Sequence, residues 1–432
     1  MSEPSGLQPQ RTDSGLAESG PAEPDAAPVT SPATPDFAAT GATMFRKVRF
    51  PLRLLKSGWF WLWTASLCNL AAVVVLWYWV VVLTDGWWLS AVLQFTPRAP
   101  FAVPSLLLGL LSVRVSKWTF ACNALAVALV CGPIMQWTWP ASSASSATIV
   151  VDSETTPTAD GAPRTPLPAT LRVISCNVAD FTGDFDTTVA EVRGLAPDLV
   201  ALQESTHDGG ALAHNFADWF SARHGEFWLG SRYPTRVVQA VPTIRFGRWY
   251  HVSAVLFRVE LPTGPILVCN THLQTARPML MRGGVRSWLN GSWQHFVRKN
   301  TILRQTEAEI LSQVVADSQG ELPVLMLGDF NMPTTSGIFR EYWSQWTVAF
   351  DQCGFGYGYT APCFGVPGWP NGLPWVRIDH ILTDRHWRPT RSVTGSTNGS
   401  DHRLVFAELE ILPTAVASPA QSNSNVAEFP DS

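Results

Sequence analysis

Six short polar motifs lie in or beside apolar segments of the chain, most of them at the point where a buried strand would end and one just before the final strand. Their side chains are carboxylates, amides and imidazoles, the groups that bind a hard metal ion and move protons. A rigid sheet directs polar groups at the ends of its strands into a common cleft. The residues concerned are Asn177, Glu204, His272, Asp329 with Asn331, Asp379, and Asp401 with His402. Their order and placement predict one polar site shared by several strands.

Each motif has an ordinary structural explanation when it is taken alone. Asn and Asp favour strand ends and turns, so Gly328-Asp329 fits a simple turn, and a single His commonly serves as a satisfied core or surface residue. Six such motifs in order, all at the same kind of location, are poorly explained by turn chemistry. We therefore interpret them as functional.

The elements that must position these residues begin at Leu171, where short β-type runs start to alternate with helical patterns. This alternation predicts a layered α/β domain with strands buried between helices. The predicted strands cover residues 171–176, 198–203, 252–259, 265–270, 323–327, 377–382 and 404–410. The predicted helices cover residues 185–195, 211–223 and 293–316, the last with Ser292 as its N-cap.

The same motifs resemble those of the endonuclease/exonuclease/phosphatase superfamily. The matching segments are Ser175-Cys176-Asn177-Val178, Leu202-Gln203-Glu204, Asn270-Thr271-His272-Leu273, Gly328-Asp329-Phe330-Asn331, Arg377-Ile378-Asp379-His380 and Ser400-Asp401-His402. The Gly-Asp-Phe-Asn and Ser-Asp-His elements are the specific part of the match. The resemblance implies a four-layer α/β/β/α sandwich of the DNase I-like class over residues 170–412, with the active site at one edge of two mixed sheets.

The resemblance also implies roles for the metal and the nucleophile. Glu204 is expected to be the main ligand of one Mg²⁺ or Mn²⁺, with Asn177 and Asp401 near it, because hard cations prefer carboxylate oxygen. Asp329 is expected to orient or deprotonate the attacking water. Asn331 is expected to hold the nucleophile or a phosphate oxygen in line.

Further residues are assigned to the phosphate and the substrate by the same resemblance. His402, held by Asp379, is expected to face the phosphate, because a carboxylate behind an imidazole fixes its tautomer and raises its pKa. His272 is expected to be a second donor to the same oxygens. Arg232, within Ser231-Arg232-Tyr233-Pro234, and Asn270 are expected to bind substrate.

Two departures from the superfamily narrow its branches. Ala179 stands where abasic-site endonucleases carry an acidic residue, and Met332-Pro333 follows Asn331 where inositol-phosphate phosphatases usually show an aromatic residue. The DNase I-like and sphingomyelinase-like branches fit better. The expected function is Mg²⁺-dependent phosphodiester hydrolysis of a nuclease-like kind. A phospholipid or sphingomyelin phosphodiesterase, and a non-catalytic membrane-tethered binding protein of the same fold, are the alternatives.

The charge of the chain does not decide between nucleic acid and phospholipid. A formal net charge of -4 gives no overall basic footprint, so anion binding must be local. The candidates for local positive potential are Arg236, Arg245, Arg248, Arg282, Arg286, Arg298, Lys299 and Arg304, of which Lys299 and Arg304 also fit solvated surface positions. Residues 276–293 are interpreted as a mobile lip over the cleft or as a plain surface loop.

Residues 45–140 are predicted to anchor the protein in a membrane. The expected spans are residues 58–84, 100–113 and 118–139, since the first uncharged run is long enough for a bilayer core. Basic residues precede the first span, and Arg114 and Lys117 separate the second from the third. The positive-inside rule then places the catalytic domain outside the cytoplasm of a multi-pass cell-membrane protein. If the second span only dips into the membrane, this orientation reverses.

The remaining segments are expected to lack packed structure. Residues 1–44 and 413–432 are predicted to be disordered tails, and the Ser/Thr/Pro/Ala-rich residues 141–169 a flexible linker that lets the domain stand off the membrane. The seven cysteines show no zinc-binding spacing. A disulfide between Cys353 and Cys363 is left open.

Overall fold

The computed structural model describes residues 58–140, 170–207, 210–242, 252–396 and 399–412. The predicted tails, residues 1–44 and 413–432, and the predicted linker, residues 141–169, lie outside the described residues. The described residues form a helical segment (residues 58–140) and a sandwich domain (within residues 170–412).

The strands that the structure describes form two six-stranded mixed sheets. Their bounds are β1 Thr170–Asn177, β2 Leu199–Gln203, β3 Phe220–His224, β4 Phe227–Ser231, β5 Thr235–Pro242, β6 Val252–Leu261, β7 Gly264–His272, β8 Val324–Asp329, β9 Thr347–Val348, β10 Asp379–Thr383, β11 Trp387–Thr394 and β12 Val405–Ile411. The first sheet has the order β11-β12-β1-β2-β4-β3, and the second has the order β5-β6-β7-β8-β10-β9. In each sheet one central parallel pair, β1 with β2 or β7 with β8, is surrounded by antiparallel neighbours.

Helices cover the outer faces of the two sheets and the helical segment precedes them. Their bounds are α1 Gly58–Trp77, α2 Trp88–Leu93, α3 Val103–Ser112, α4 Lys117–Leu129, α5 Phe185–Gly194, α6 Ala211–Asn215, α7 Arg277–Met281, α8 Val285–Leu289, α9 Ser292–Gln319, α10 Gly337–Trp343 and α11 Ala349–Cys353. Short π-helical turns, Tyr78–Leu83 and Val130–Ile134, extend α1 and α4.

Apolar side chains alternate between the two faces of each sheet and so build three layers of contact. Val173 and Leu199 of the first sheet meet Phe257 and Leu327 of the second in the central core. The outer face of the second sheet packs on α9 and α10, and the outer face of the first packs on α5 and α6. The four-layer α/β/β/α sandwich predicted from the resemblance is therefore confirmed.

Several predicted elements need correction. The predicted helix over residues 211–223 ends at Asn215, and Phe220–His224 forms β3, because these residues pair with β4. Ser292 lies inside α9, whose N-cap is Gly291 in a left-handed conformation. Cys353 and Cys363 are free thiols that donate to the carbonyl oxygens of Ala349 and Thr360, so the disulfide left open above is not formed.

Two helices are long and apolar enough to cross a membrane. They are Gly58–Gly86 and Lys117–Ile134, and the shorter apolar helix Ala99–Ser112 lies between them in sequence. They correspond to the predicted spans 58–84 and 118–139, while the predicted span 100–113 matches the shorter helix. In the most apolar 18-residue stretch of each helix only 22% and 28% of the residues are buried, so most of these apolar side chains face outward.

Small polar side chains join α1, α3 and α4 from within. Nδ2 of Asn69 donates to the Ser105 hydroxyl at 2.8 Å, and Nδ2 of Asn123 donates to the Ser66 hydroxyl at the same distance. Ser66, Ser105 and Asn123 are buried. Large apolar side chains lie on the outside instead, including Leu106, Leu107, Leu110, Leu111 and Trp118. The helices also bury an apolar cluster that includes Val73 and Val130. Large apolar side chains on the outside, with polar side chains buried between the helices, are unusual for a water-soluble helical bundle.

The sandwich domain packs directly on one end of the helical segment. Asp85 accepts a hydrogen bond from the Ser336 hydroxyl at 2.5 Å, and Tyr359 donates to the carbonyl oxygen of Met135 at 2.9 Å. The segment between α1 and α3, residues 87–98, contains the short helix α2 and is called the connecting loop. Its Phe95 carbonyl accepts from the Trp375 indole at 2.9 Å. The sandwich domain therefore contacts the helical segment directly, and the stand-off from the membrane expected from the linker stays a prediction.

Candidate active site

Strand register brings the predicted residues to one edge where both sheets end. In the first sheet Asn177 pairs with Gln203 across parallel strands, and Glu204 follows directly. In the second sheet His272 pairs with Asp329 on the parallel neighbour, and Asp379 pairs with Asp329 on the antiparallel one. The polar edge predicted from the sequence is therefore formed by β1, β2, β7, β8 and β10.

Close backbone approach and unusual dihedral angles position this edge. Gly328 has a φ of 141°, and a Cβ there would lie 1.9 Å from the carbonyl oxygen of Thr271, so no other residue fits. Glu204 and Asn331 have φ values of 49° and 50°. Such left-handed conformations cost about 1–3 kcal/mol each in a non-glycine residue and cluster at functional sites.

Asn177 links two carboxylates that belong to different sheets. Its Nδ2 atom donates to Oε1 of Glu204 at 2.9 Å and to Oδ2 of Asp329 at 3.2 Å. Nε2 of His272 lies 3.5 Å and 3.8 Å from the same two oxygens. Both oxygens therefore meet at the Asn177 amide, and the part-exposed carboxylate of Glu204 is the kind of ligand that a hard divalent cation such as Mg²⁺ or Mn²⁺ prefers.

Asp379 and His402 form a buried pair beside this point. Nδ1 of His402 lies 2.9 Å and 3.1 Å from the two carboxylate oxygens of Asp379, and Nε2 lies 3.8 Å from Oδ2 of Asp329. Burial lowers the pKa of His402, but Asp379 and Asp329 outweigh it and raise this pKa to about 10. The imidazole is therefore a cation at neutral pH.

Two hydroxyl groups fix the geometry of this pair. Thr360 accepts hydrogen bonds from the backbone N–H groups of Ile378 and Asp379 at 3.1 Å and 3.2 Å. Ser400 donates to the carbonyl oxygen of Asn177 at 2.7 Å and accepts from the backbone N–H of His402 at 3.2 Å. The pair is therefore held in one orientation relative to both sheets.

Asp329, Asp379 and His402 also offer ligand atoms within 4.8 Å of one another. Both oxygens of Asp379 are already paired with His402, and the Asp379 side chain is fully buried. Glu204 is the more accessible carboxylate, with 36% of its side chain exposed.

Asp329 is the central acidic group of the site. Burial and the neighbouring Asp379 raise its pKa, while His402, His272 and the backbone N–H of Asn331 lower it, and the result is about 6. Asn331 donates to Asp329 from both its backbone N–H, at 2.8 Å, and its side chain, at 3.1 Å. A carboxylate with a pKa near neutrality is suited to accept a proton from water.

A second acid–imidazole pair was not predicted from the sequence. Oε1 of Glu226 lies 2.9 Å from Nδ1 of His272, so this ring is held from behind as His402 is held by Asp379. Burial lowers the pKa of His272, but Glu226, Asp329 and Glu204 raise it to about 9. Glu226 stands in the turn between β3 and β4, and no motif in the sequence singles it out.

Two residues expected to bind substrate do not reach the site. Asn270 is fully buried, and it accepts from Gln203 at 2.6 Å and donates to the carbonyl oxygen of Leu202, which ties the two sheets together behind the site. Arg232 follows Ser231, which pairs with Leu199 at the start of β2, whereas Glu204 lies at the opposite end of that strand. Arg232 stacks on Trp219 there.

Asp401 faces a cation that the sequence motifs did not include. Oδ2 of Asp401 lies 3.3 Å from the guanidinium of Arg277, whose side chain is 64% exposed. Its carboxylate is therefore directed to Arg277. Arg304, expected to supply positive potential or to be solvated, is fully buried and donates to the carbonyl oxygen of Asn331 at 3.0 Å.

Similarity to known proteins agrees with this geometry. The model of the endonuclease/exonuclease/phosphatase family matches residues 174–402, which is more than half of the chain. No protein with a curated description matches the sequence.

Three solved structures illustrate the structural similarity. An endonuclease/exonuclease/phosphatase family protein from Bacteroides thetaiotaomicron is 16% identical, with 57% of this chain and 99% of that chain covered and a TM-score of 0.43. TDP2 from D. rerio, complexed with a single-strand DNA product, is 15% identical, with 56% and 99% covered and a TM-score of 0.42. A mannosyl-6-phosphatase from Bacteroides thetaiotaomicron is 16% identical, with 55% and 99% covered and a TM-score of 0.41.

This chain belongs to the endonuclease/exonuclease/phosphatase family.

Proposed function

We propose that this member of the endonuclease/exonuclease/phosphatase family is a phosphodiester hydrolase that depends on Mg²⁺ or Mn²⁺. The observation that carries the proposal is the convergence of Glu204 and Asp329 on Asn177 beside the buried Asp379–His402 pair. The raised pKa values of Asp329, His272 and His402 also support it, because perturbed pKa values cluster at catalytic sites.

Glu204, with Asn177 beside it, would hold the metal, which when bound neutralises charge on the phosphate oxygens. Asp329 accepts a proton from water as the water oxygen forms a bond to phosphorus. The bond from phosphorus to the leaving oxygen then breaks, and that oxygen takes a proton from solvent and leaves as an alcohol. Asp329 afterwards returns its own proton to solvent. His402 and His272 stabilise the negative charge that builds on the non-bridging oxygens. The products are a phosphomonoester and an alcohol.

This chemistry is common to the nuclease-like substrate expected from the sequence and to the phospholipid alternative. Duplex or single-stranded nucleic acid and a membrane phospholipid both contain the phosphodiester that the site would cleave. The geometry of the polar edge alone does not separate them. The apolar surroundings of the site favour the phospholipid.

We also propose that the helical segment anchors the enzyme in the cell membrane as a multi-pass protein. Its outward apolar surface and the hydrogen-bonded polar side chains buried between its helices support this assignment. Arg114 and Lys117 flank the turn between α3 and α4, at the end of the bundle away from the sandwich domain. The positive-inside rule then puts the sandwich domain outside the cytoplasm. A reporter fused after residue 412 tests this orientation, and a cytoplasmic signal would overturn it.

Hydrolysis of bis(4-nitrophenyl) phosphate by the full-length protein in detergent tests the catalytic proposal. Activity should require Mg²⁺ or Mn²⁺, disappear with EDTA and fall by roughly 10²–10⁴-fold in Asp329→Ala, because the proton acceptor is lost. Asp317→Ala, an exposed aspartate on α9, is the matched control and should keep full activity. A wild-type protein with no metal-dependent hydrolysis would instead favour the non-catalytic binding alternative.

A further inference from the structure

A large cavity runs from the active site to the connecting loop of the helical segment. Its volume is about 1080 Å³, the size of a site for a substantial organic ligand. Asn331, Asp401 and His402 line it on the catalytic side. Trp88 and Phe95 of the connecting loop line it where the sandwich domain meets the helices. The cavity therefore links the reacting end of the site to the part of the chain that precedes α3.

Aromatic and aliphatic side chains dominate the walls of this cavity. The indole N–H groups of two lining tryptophans are already bonded to backbone carbonyls, that of Trp375 to Phe95 and that of Trp293 to Met279. These rings therefore present apolar surface to an occupant. A nucleobase carries polar edges that need hydrogen-bond partners, whereas a hydrocarbon chain needs none. The walls suit a hydrocarbon chain better.

The lip of the cavity is apolar and exposed. Met281, Val285 and Trp288 line the cavity and are also 78%, 76% and 52% exposed, and Leu289 beside them is 72% exposed. An apolar patch of this kind marks a surface that meets a membrane or a partner. The connecting loop at the other wall lies between α1 and α3, whose outer surfaces are apolar. A membrane at this level would cover the lip.

Charge at the catalytic end of the cavity fits the headgroup of a lipid. Arg277 lies at this end, 3.3 Å from Asp401, with most of its side chain exposed. A phosphate that reaches His402 would therefore also meet the exposed guanidinium of Arg277 at the cavity rim. The cavity thus places an anion-binding site next to an apolar channel. This arrangement fits a phosphodiester that carries a hydrocarbon chain.

We infer that the substrate is a membrane phospholipid whose acyl chain lies in this cavity while its phosphodiester faces His402 and Asp329. This inference rests on the proposed hydrolase function. The lipid enters from the bilayer beside the helical segment, so the anchor delivers the substrate as well as holding the enzyme.

The test compares two esters of 4-nitrophenyl phosphate, with a hexadecyl or a methyl group as the second ester, on the full-length protein in phosphatidylcholine vesicles with Mg²⁺. Both release 4-nitrophenolate, so chain length is the only difference. We expect kcat/KM to be at least about tenfold higher for the hexadecyl ester. Leu280→Trp and Val366→Trp, which fill the cavity from two walls, should remove most of that advantage and leave the methyl ester within about twofold.

Ile302→Trp, at an exposed position on α9 outside the cavity, is the matched control and should keep the chain-length advantage. Unchanged hydrolysis of the methyl ester shows that each variant is folded. Equal rates for the two esters in the wild type, an advantage untouched by the cavity variants, or a faster reaction with a DNA oligonucleotide would overturn the inference and leave the hydrolase function standing. No hydrolysis of either ester would instead overturn the proposed function.

Discussion

Buried charge occurs in two regions of this molecule, and it has a different setting in each. At the catalytic edge the side chains of Asp329, Asp379 and His402 are buried, and His402 lines a cavity that a substrate could fill. At the junction with the helical segment the side chains of Asp85 and Arg304 are also buried, but neither residue lines that cavity. Burial of charge is therefore not a sign of catalysis by itself. Access from a cavity distinguishes the reacting groups from those that hold two parts of the chain together.

Arg304 connects the two regions. Its guanidinium lies 3.8 Å from Asp85 of the helical segment, donates to the carbonyl oxygen of Asn331 in the active site, and stacks on Phe95 of the connecting loop. The position of the helices and the backbone of the catalytic loop are thereby coupled through one side chain.

The largest expected effect on stability comes from Arg304→Met. This change leaves the Asp85 carboxylate buried without its cation, and breaking such a pair costs about 3–5 kcal/mol. Thermal unfolding of the full-length protein in detergent should show the loss. Asp85→Asn combined with Arg304→Met should recover part of it, because the unpaired charge is removed. A double variant no more stable than Arg304→Met would mean that the ion pair contributes little.

A smaller loss of stability is expected from His380 on acidification. Burial and the nearby Arg377 lower its pKa to about 4, so the native ring stays neutral while the unfolded chain takes up a proton near pH 6.5. Stability should therefore fall as the pH drops from about 6.5 to about 4, by up to roughly 3 kcal/mol. Urea unfolding at several pH values measures it. His380→Gln keeps a donor for the Met332 carbonyl and should show a shallower fall. An identical pH dependence in the variant would contradict this assignment.

The smallest expected effect comes from Glu226→Gln, which tests whether the second acid–imidazole pair belongs to the catalytic region. Loss of the charge behind His272 should reduce kcat/KM by about tenfold, as for other groups that orient a reacting side chain. Unfolding temperature should change little. Glu321→Gln, on the exposed surface, is the control. Full activity in Glu226→Gln would place this pair with the structural charges instead.

The sequence predicted the catalytic edge better than its surroundings. Asn177, Glu204, His272 and Asp329 end or follow buried strands and Asp379 begins one, and strand register brings these residues together. The sandwich fold followed from the same strands. Their individual roles remain proposals that the experiments above address.

Long-range contacts account for what the sequence did not predict. Glu226 reaches His272 from a turn 46 residues away, and Arg304 reaches Asp85 across a still longer separation, so no local spacing indicates either contact. Arg232 was expected at the site, but the direction of β4 carries it to the far end of the sheet. The local pattern predicts a helix over most of the residues that form β3. Pairing with β4, a contact that the local pattern does not show, gives these residues an extended conformation instead.

The most direct test of the account is the metal requirement of Glu204→Gln in phosphodiester hydrolysis. If Glu204 holds the cation, the Mg²⁺ concentration for half-maximal activity of the full-length protein should rise at least about tenfold, since one charged ligand is lost. Glu260→Gln, an exposed glutamate paired with Arg258, should leave it unchanged. The same Mg²⁺ requirement in Glu204→Gln and wild type would contradict the proposed site.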